Sequence, residues 1–395
     1  MKKLMILGAS YSQLPLYEAA RQLGAATVAA STPGDWPGFD VAAESVYADI
    51  TDPEAILAAA QEKGIDGIAT CCLDAGVRAL GYTCEKMGLI GPSARAADIS
   101  NDKFKMKEAF MAGGVQCARH ICIHSLEELE EALEKLEFPV VLKAVDLMGS
   151  RGIFRCNTRE ETFFYYNKTM EATRKDYCLV EEFIEGQVLG CEAMIRDGRL
   201  LYCLPNNIEA FQSYVPTPIG HSVPYRKQEE LGAEVRHQVE LAIKAVGLDN
   251  CPVNCDLIEK DGKIYVIEIT GRAGGTCLPE MVSIYYGINY YEAIVRLALG
   301  MDVEEMFRGK TAGVANLSRT LLSEKDGVVK AIHNENEPVE DIVNLSFNIT
   351  PGEEVHHYTN GRDRLGQVIL RGESLESCEK RLQEILSKIN IEFTV

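Results

Sequence analysis

The sequence lacks any long apolar run, since none approaches the roughly 18 residues of a membrane-spanning helix. We expect no secretory leader, because the sequence begins directly with a strand-like segment, KKLMILGAS. Positive charge is scarce: 40 Lys and Arg face 59 Asp and Glu, which gives a formal net charge of −19. We therefore expect a cytoplasmic protein whose main partner is neither nucleic acid nor a membrane.

The sequence contains cysteines, but they are not spaced like the ligands of a metal site. The 13 cysteines are scattered, and several lie inside apolar runs such as ICI at 121–123, which is typical of reduced, buried thiols in a cytosolic protein. Cys251 and Cys255 form one CxxxC pair, with no second pair at metal-site spacing and no nearby histidine. A zinc site is therefore not expected.

A dinucleotide-binding fingerprint is missing as well. Residues 1–97 alternate strands and helices, which predicts a parallel α/β sheet. Gly8 and Ser10 end the first strand, but GASYSQLP lacks the GxGxxG spacing, and no ribose-binding acid follows at the required distance. Nicotinamide binding is therefore not expected, although Gly8 and Ser10 are candidates to border a small-ligand pocket at the strand ends.

The stretch 254–276, NCDLIEKDGKIYVIEITGRAGGT, is the richest in chemical signals. A Lys-Asp-Gly turn predicts a hairpin that places Asp256 opposite Glu268. Strict alternation predicts that Glu268 shares a face with Val266 and Thr270. The two predicted strands are 255–259 and 264–270.

This hairpin has a possible catalytic meaning. Two facing carboxylates repel each other in a half-buried sheet unless a divalent cation such as Mg²⁺ lies between them. Arg272, flanked by glycines, could hold a developing anion bidentately. A solvated hairpin with a conventional arginine is the alternative.

The middle of the chain offers two lysines. A helix predicted over 98–112 carries Lys103, for which a solvated surface charge is the alternative. The strand FPVVLKAV places Lys143 among apolar residues, so its ammonium is expected to be buried and to need an anionic partner such as a phosphate. The Gly/Ser turn at 146–153 follows, and its backbone N–H groups could wrap a phosphate.

Residues 211–228 are rich in proline and predict a substrate-covering loop. His221, Tyr225 and Arg226 are its candidates for holding an acceptor substrate. An ordinary polar surface loop is the alternative.

Taken in order, the chain offers a helix with an Asp-Lys pair, a strand lysine, a Gly/Ser turn, the segment VEEFIEG and an acidic hairpin with E-I-x-x-R-x-G-G. This combination resembles the ATP-grasp superfamily along nearly the whole chain, and most of all the carboxylate-amine ligases of the L-amino-acid ligase type. The segment GRDRLGQVILRGESLESCEKRLQEIL is similar to the end of purine-pathway members. Carbamoyl-phosphate synthase and biotin carboxylase are more distant members of the same superfamily.

The resemblance implies a mixed α/β and α+β architecture, the ATP-grasp fold. We expect an N-terminal parallel α/β domain, an ATP-grasp domain of two lobes and a C-terminal β-rich domain. The expected bounds are 1–97 for the first, 98–305 for the second with lobes 98–184 and 185–305, and 306–395 for the third.

The resemblance also implies site roles. Lys103 and Lys143 would contact ATP phosphates, Asp256 and Glu268 would hold Mg²⁺, and Arg272 would stabilise an acylphosphate. Thr270 stands where an asparagine ligand is usual, which leaves the number of metals open, and Glu185 substitutes for the usual ribose-binding acid because Val188 occupies that position. The nucleotide-binding residues implied are Ser150, Arg151 and Gly152 in a phosphate-covering loop and Glu181, Glu182, Phe183, Ile184 and Glu185 at the adenine and ribose.

The implied activity is an ATP-dependent ligation in which a carboxylate is activated as an acylphosphate, with ADP formed, and then joined to an amine such as an amino acid. Mg²⁺ is the expected cofactor, with Mn²⁺ as an alternative, and the resemblance favours a homodimer through the first domain. Two other readings stay open: a carboxylase or formyl-transfer enzyme that activates bicarbonate or formate, and a nucleotide-binding regulator without catalysis.

Overall fold

The computed structural model of the protein describes residues 1–147, 149, 151–212, 215–310, 313–359 and 363–394. Within these ranges the chain forms four β-sheets, of which the first is parallel and the others antiparallel. The predicted architecture, a parallel α/β sheet followed by α+β units, is confirmed.

The first sheet is buried on both faces. Its segment contains β1 (Lys3–Leu7), α1 (Leu14–Gln22), β2 (Ala26–Ser31), α2 (Pro37–Val41), β3 (Glu44–Tyr47), α3 (Pro53–Lys63), β4 (Gly67–Ala69) and α4 (Val77–Met87). The strand order is β3-β2-β1-β4. Leu4 and Ile6 pack with residues of α1, whereas Met5 and Leu7 pack with residues of α3 and α4. Alternate residues of β1 therefore serve two cores, as expected of a parallel strand covered by helices.

The second sheet is antiparallel. Its segment contains α5 (Ala94–Ser100), α6 (Lys103–Ala112), β5 (His120–Ile123), α7 (Leu126–Leu133), β6 (Val140–Ala144), β7 (Ile153–Cys156), α8 (Arg159–Ala172) and β8 (Cys178–Glu182). The strand order is β5-β8-β6-β7. Leu129 of α7 and Tyr166 of α8 pack with Val140, Leu142 and Val180 of the sheet.

The single helix predicted over 98–112 is wrong, because the chain breaks at Asp102. The Asp102 carboxylate accepts hydrogen bonds from the backbone N–H groups of Phe104 and Lys105 at 3.0 and 3.1 Å, which caps a new helix. The hydroxyl of Tyr177 donates to the other oxygen of this carboxylate. Lys103 thus becomes the first residue of α6, and its backbone N–H donates to Val145 O at 3.0 Å.

The largest sheet crosses the predicted domain boundary at residue 305. The elements of this part of the chain are β9 (Gln187–Arg196), β10 (Arg199–Gln212), β11 (Pro216–Val223), α9 (Gln228–Val246), β12 (Cys251–Lys260), β13 (Lys263–Thr270), α10 (Leu278–Tyr286), α11 (Tyr290–Ala298), α12 (Glu304–Phe307), β14 (Ala315–Leu322), β15 (Gly327–Asn334), β16 (Ile342–Phe347), β17 (Glu354–Val355), β18 (Arg364–Gly372), α13 (Leu375–Leu386) and β19 (Ile389–Thr394). The order is β13-β12-β9-β10-β11-β14-β18-β16, and β17-β15-β19 form the remaining sheet. The pairing of β11 with β14 makes the large sheet continuous.

The substrate-covering loop predicted over 211–228 is wrong for much of its length, because it contains β11, which pairs with β10 and β14. Its prolines are compatible with a strand. Pro216 is the first residue of β11, and Pro218 adjoins an irregularity in the pairing with Glu209 and Ala210.

Helices α10 and α11 pack against the N-terminal sheet, with Met281 and Ile294 in the same core as Leu4. All 13 cysteines are free thiols. The described part of the chain has no helix with the length and apolar character required to cross a bilayer.

Candidate active site

A cavity of about 500 Å³ lies where the second and the large sheet meet. Residues of β6 and β8, of β11, β12 and β13, and of the loop after β4 line it. The charged residues among them are Asp74, Lys103, Lys107, Lys143, Arg151, Glu181, Glu182, Asp256, Glu268 and Arg272. Three separate parts of the chain thus contribute charged groups, and together both signs of charge, to one cavity.

The acidic pair of the hairpin lies on the wall of this cavity. Asp256 of β12 is directly opposite Glu268 of β13, as the turn spacing predicts. Burial, and next the neighbouring Glu268 carboxylate, raise the pKa of Asp256 to about 6. The two carboxylates therefore repel each other when both are ionised.

The prediction that Glu268 shares a face with Val266 is wrong, because a β-bulge interrupts the alternation between them, whereas the register from Glu268 to Thr270 is regular. After the Asp256 pair, Leu257 is opposite Val266, so Ile267 is an extra residue. Val266 packs in the core with Leu257, whereas Ile267 and Glu268 both line the cavity. The bulge is what turns the second carboxylate toward the site.

Lys103 faces the acidic pair. Its ammonium donates to Glu268 Oε1 at 3.0 Å and to Leu147 O at 2.8 Å. The Asp102 cap fixes the start of α6 and so places Lys103 on the cavity wall. The same ammonium could contact a phosphate if its pairing with Glu268 were exchanged.

Two further lysines, Lys107 and Lys143, share one acid. Lys143 of β6 forms an ion pair with Glu181 of β8, and Lys107 of α6 lies 3.2 Å from the other oxygen of that carboxylate. Burial, and next the neighbouring Lys107 and Lys103, lower the pKa of Lys143, and burial lowers that of Lys107 to about 8. The sequence analysis missed Lys107, although its position four residues after Lys103 puts both on one face of a helix.

Arg272 follows β13 and is held from two sides. Its Nε donates to Asp74 Oδ1 at 2.6 Å, and its Nη1 donates to Asn254 Oδ1 at 3.1 Å. Burial alone would raise the pKa of Asp74, but Arg272 holds it below its ordinary value. Asp74 comes from the loop after β4, which reaches the site because Cys72 N donates to Ala273 O at 3.0 Å. Sequence reasoning missed both Asp74 and Asn254.

Behind Arg272 lies Glu192, which is 0% exposed. Its carboxylate accepts hydrogen bonds from Asn254 Nδ2 at 2.8 Å and from Gly274 N at 3.2 Å. Burial raises the pKa of Glu192 to about 8, against the opposing effects of the Gly274 N–H, Arg272 and Asn254. A Cβ on Gly274 would come within 2.6 Å of the Glu192 carboxylate, which explains the glycine. Glu192 lies in an apolar strand, and nothing in its local sequence marks it.

The residues present fit a magnesium ion. Within the described ranges, no group of three or more His, Cys, Asp or Glu side chains forms a cage of protein ligands. Mg²⁺ does not require one, since one or two carboxylates with substrate phosphates and water complete its shell. Asp256 and Glu268 are such a pair, and burial together with their mutual repulsion, which raises the pKa of Asp256, would be offset by a cation between them.

The predicted adenine strand is only partly directed at the cavity. Glu181, Glu182, Phe183 and Ile184 all line it. The Glu182 carboxylate, however, accepts from Arg119 Nη1 at 3.0 Å, and the Glu182 N–H donates to Arg119 O at 3.0 Å.

The ribose and loop candidates differ in placement. Glu185 is exposed and is not among the lining residues, whereas Val188 is. Arg151 lines the cavity, and Gly152 lies beside it with its carbonyl accepting from Ala144 N at 2.9 Å. Ser150 lies outside the described residues.

The acceptor candidates are dispersed. His221 lines the cavity, its Nδ1 is 3.0 Å from Asn206 Oδ1, and burial lowers its pKa to about 4, so its imidazole is neutral at pH 7. The prediction that Tyr225 holds the acceptor is wrong, because its side chain packs in the core. The same prediction is wrong for Arg226, because it pairs with Glu379 on the surface.

Three further candidates lie off the cavity. Gly8 accepts a hydrogen bond from the Tyr17 hydroxyl at 2.9 Å, and Ser10 donates to Gln13 Oε1 at 2.7 Å, so both serve the first turn of the N-terminal sheet. Thr270 is 4% exposed, lies opposite Asn254 and is not among the lining residues. Thr270 therefore lies off the wall of the cavity that Asp256 and Glu268 line.

Two family models match parts of this chain. Residues 100–276 match the family model of the ATP-grasp domain, and residues 319–394 match that of the L-amino acid ligase C-terminal domain 2. A solved structure described as phosphoribosylglycinamide synthetase from Anaerococcus prevotii is 39% identical, with all of both chains covered and a TM-score of 0.85. The L-amino acid ligase from Bacillus licheniformis is 20% identical, with 100% and 99% of the two chains covered and a TM-score of 0.86.

Curated relatives are more distant. Alanine–anticapsin ligase of Bacillus subtilis is 25% identical over 276 residues, which cover 64% of this chain and 58% of that protein. The match to the carbamoyl phosphate synthase large chain of Clostridium beijerinckii spans 30% of that protein, and the match to an uncharacterised Sinorhizobium fredii protein spans 65%. The chain thus spans less than two thirds of the length of these relatives.

Proposed function

The chain belongs to the ATP-grasp family of carboxylate-amine ligases, and from this premise we propose that it activates a substrate carboxylate as an acylphosphate, releases ADP, and joins the acyl group to an amino acid. One observation carries the proposal. The paired carboxylates Asp256 and Glu268, the lysines Lys103 and Lys143, and Arg272 all line a single cavity.

The first step is phosphoryl transfer. A carboxylate oxygen of the substrate attacks the γ-phosphorus of ATP, the bond to the β–γ bridging oxygen breaks, and ADP leaves. Lys103, Lys107 and Lys143 offset the negative charge of the phosphates. To contact a phosphate, the Lys103 ammonium must give up its hydrogen bond to Glu268. Nucleotide binding would therefore free the Glu268 carboxylate.

Asp256 and Glu268 would hold Mg²⁺. When bound, the ion supplies charge neutralisation for the phosphates and orientation for the transfer. In its absence the two acids repel, so binding of the metal and of the nucleotide should be mutually favourable. Mn²⁺ shares the preference for carboxylate ligands, and replacement of Mg²⁺ by Mn²⁺ in a turnover assay tests whether the site accepts it.

The second step is attack by the amine. Its nitrogen bonds to the acyl carbon, the carbon–oxygen bond to phosphate then breaks, and inorganic phosphate leaves with the amine proton. The guanidinium of Arg272 stabilises the oxyanion of the tetrahedral intermediate. Asp74 and Asn254 hold Arg272 in one orientation, which removes the cost of arranging it during the reaction.

The test is a screen of pairs of amino acids with MgATP, in which ADP, inorganic phosphate and new masses are followed. We expect ADP release that depends on both substrates and a product mass equal to the pair minus water. Glu268→Gln should abolish ADP release, while Asp261→Asn, at the exposed turn of the same hairpin, should not. Turnover by the Gln variant at the rate of the unmodified protein would contradict the metal role.

Bicarbonate and formate belong in the same screen. ADP release with either alone would replace the amino-acid ligase by a carboxylase or formyl-transfer enzyme. A regulator without catalysis would release no ADP with any acid, but such a protein has no need of the complete set of carboxylates, lysines and arginine that lines the cavity.

We also propose a homodimer through the first domain. Trp36, Val41 and Tyr47, on or beside α2 and the edge strand β3, are exposed apolar side chains that a partner could cover. Light scattering after size-exclusion chromatography gives the mass directly, and a monomer at micromolar concentration would overturn this assignment.

A further inference from the structure

Two thiols lie side by side on one face of the large sheet. Cys191 of β9 and Cys203 of β10 have their Sγ atoms 3.3 Å apart, and either thiol can donate to the other. Both face the core that also contains Val235 and Val239 of α9. Since the sulfur atoms of a disulfide are about 2.05 Å apart, these two need to approach by only roughly 1.2 Å to form one.

The register of the two strands explains this contact. Cys203 is opposite Ala193 and Cys191 is opposite Pro205, so the two cysteines are diagonal neighbours in an antiparallel pair. Diagonal neighbours have Cα atoms roughly 7 to 8 Å apart, slightly more than the distance of up to about 6.8 Å that a disulfide spans. Formation of the bond therefore draws β9 and β10 together at this point.

The two thiols differ in their access to solvent. Cys203 is half-buried, whereas Cys191 is 0% exposed. Burial, and next the Cys203 thiol, raise the pKa of the Cys191 thiol, so Cys191 is a poor nucleophile toward an oxidant in solution. Cys203 is therefore the thiol that an oxidant reaches, and Cys191 is the neighbour that can attack its oxidised form.

The pair lies next to a residue that supports the candidate active site. Glu192 directly follows Cys191, and the alternation of the strand turns it to the opposite face of the sheet. There its carboxylate accepts hydrogen bonds from Asn254 Nδ2 at 2.8 Å and from Gly274 N at 3.2 Å. Asn254 in turn accepts from Arg272 Nη1 at 3.1 Å. A shift of β9 at Cys191 therefore moves the acid that holds the surroundings of Arg272.

A second link runs through the neighbouring strand. Cys191 is directly opposite Cys255 of β12, the residue between Asn254 and Asp256. In the large sheet β9 lies between β12 and β10. A movement of β9 toward β10 is therefore a movement away from the strand that carries Asp256.

We propose that Cys191 and Cys203 are a redox pair, which hydrogen peroxide converts into a disulfide and an added thiol converts back, and that the disulfide slows the reaction at the site by displacing Glu192. The Cys203 sulfur attacks one peroxide oxygen, the O–O bond breaks, and the thiol proton leaves with the other oxygen as water. The sulfur of Cys191 then attacks the resulting sulfenic sulfur, the S–O bond breaks, and a second water leaves with the Cys191 proton. The two thiols lose two electrons in total, and the peroxide gains them.

Peptide mapping tests the disulfide without turnover. The reduced full-length protein is treated with hydrogen peroxide, the remaining thiols are blocked with iodoacetamide, and the peptides are analysed by mass spectrometry with and without dithiothreitol. We expect a cross-linked peptide that joins Cys191 to Cys203, is lighter by two hydrogens than its two thiol peptides together, and separates in dithiothreitol. Cys122→Ser, which removes a different half-buried thiol, is the matched control and should give the same cross-link.

Hydrogen–deuterium exchange tests the link to the site. Because the Gly274 N–H donates to the Glu192 carboxylate, peptides that contain Gly274 should exchange at least about three-fold faster in the cross-linked protein than in the reduced one. The kcat for ADP release should fall at least about ten-fold and recover in dithiothreitol, since Arg272 loses its fixed orientation. In Cys203→Ala, which leaves Cys191 without its partner, peroxide should change neither quantity. Unfolding curves check that this variant is folded.

Three results would overturn the proposal: no Cys191–Cys203 cross-link after peroxide, equal exchange at Gly274 in the two states, or the same loss of activity in Cys203→Ala. The readouts are separable from the ligase function. If the reduced protein releases no ADP in the substrate screen, the ligase function fails, while the cross-link and the exchange still decide the redox pair. Unchanged ADP release by the cross-linked protein would keep the ligase and remove the switch.

Discussion

Replacement of Asp256 by Asn should stabilise the ligand-free protein and inactivate it at the same time. The pKa of Asp256 is raised from its ordinary value of 3.8 to about 6, by burial first and by Glu268 second. Below the ordinary value the carboxyl group is protonated in both the folded and the unfolded chain. As the pH rises, the unfolded chain loses this proton first, so the stability of the fold decreases up to and through pH 6.

The magnitude follows from the two values. At about 1.4 kcal/mol per pH unit, the difference between 3.8 and about 6 corresponds to roughly 3 kcal/mol of lost stability at neutral or higher pH. This is an upper limit, because Asp256 and Glu268 titrate together. Asn has no charge to bury, so Asp256→Asn should be more stable than the unmodified protein by about 1 to 3 kcal/mol near pH 8 and by almost nothing near pH 4.

Urea unfolding in EDTA at both pH values measures this difference, and ADP release measures activity. The control is Asp261→Asn, an exposed acid in the turn of the same hairpin, which should change neither. An Asp256→Asn variant that is no more stable than the unmodified protein near pH 8, that gains equally near pH 4, or that still releases ADP would refute the electrostatic reasoning.

Three other predictions concern the groups around the pair. Glu181→Gln should destabilise the fold by about 3 kcal/mol in urea unfolding, because it leaves the buried ammonium groups of Lys107 and Lys143 without their shared acid; a loss below about 1 kcal/mol would show that the pairing matters little. Glu192→Gln should remove a pH dependence of the folding stability. The pKa of Glu192 is raised to about 8, so the contribution of this carboxyl group to stability decreases as the pH rises from its ordinary pKa through 8. Between about pH 6 and pH 9 the free energy of unfolding should fall by roughly 3 kcal/mol more in the unmodified protein than in the variant. Parallel stability curves for the two proteins would contradict the buried state of that carboxyl group. Arg272→Lys should lower kcat for ADP release with both substrates at least about 100-fold with little change in unfolding, because an ammonium cannot contact Asp74, Asn254 and the oxyanion together; a loss confined to KM would assign Arg272 to substrate binding instead.

Local patterns predicted the elements of the fold well, and failed where a single side chain decides the backbone. Alternating strands and helices predicted the parallel N-terminal sheet, and the Lys-Asp-Gly turn predicted the Asp256–Glu268 pairing. The break before α6 depends on the Asp102 cap, which also involves Tyr177, 75 residues away. The bulge at Ile267 is set by the partner strand. The cap itself is a local signal that the sequence analysis missed, whereas the contact with Tyr177 and the pairing at the bulge join distant segments and are not visible in a local pattern.

The residues of the candidate site likewise fall into those that the sequence predicted and those that it did not. Lys103, Lys143, Asp256, Glu268 and Arg272 were predicted, because each stands in a recognisable charge or glycine context, and the structure places all of them on one cavity. Asp74, Asn254 and Glu192 act only through contacts between distant segments, and an isolated acid or amide carries no local signal.

Transfer of ¹⁸O from substrate to phosphate tests the acylphosphate most directly. An amino acid labelled in its carboxylate is incubated with MgATP and a second amino acid, and the inorganic phosphate is analysed by mass spectrometry or ³¹P NMR. If the carboxylate is phosphorylated and the amine then displaces phosphate, one labelled oxygen per turnover appears in the phosphate. Product formation with unlabelled phosphate, or with AMP in place of ADP, would contradict the proposed reaction.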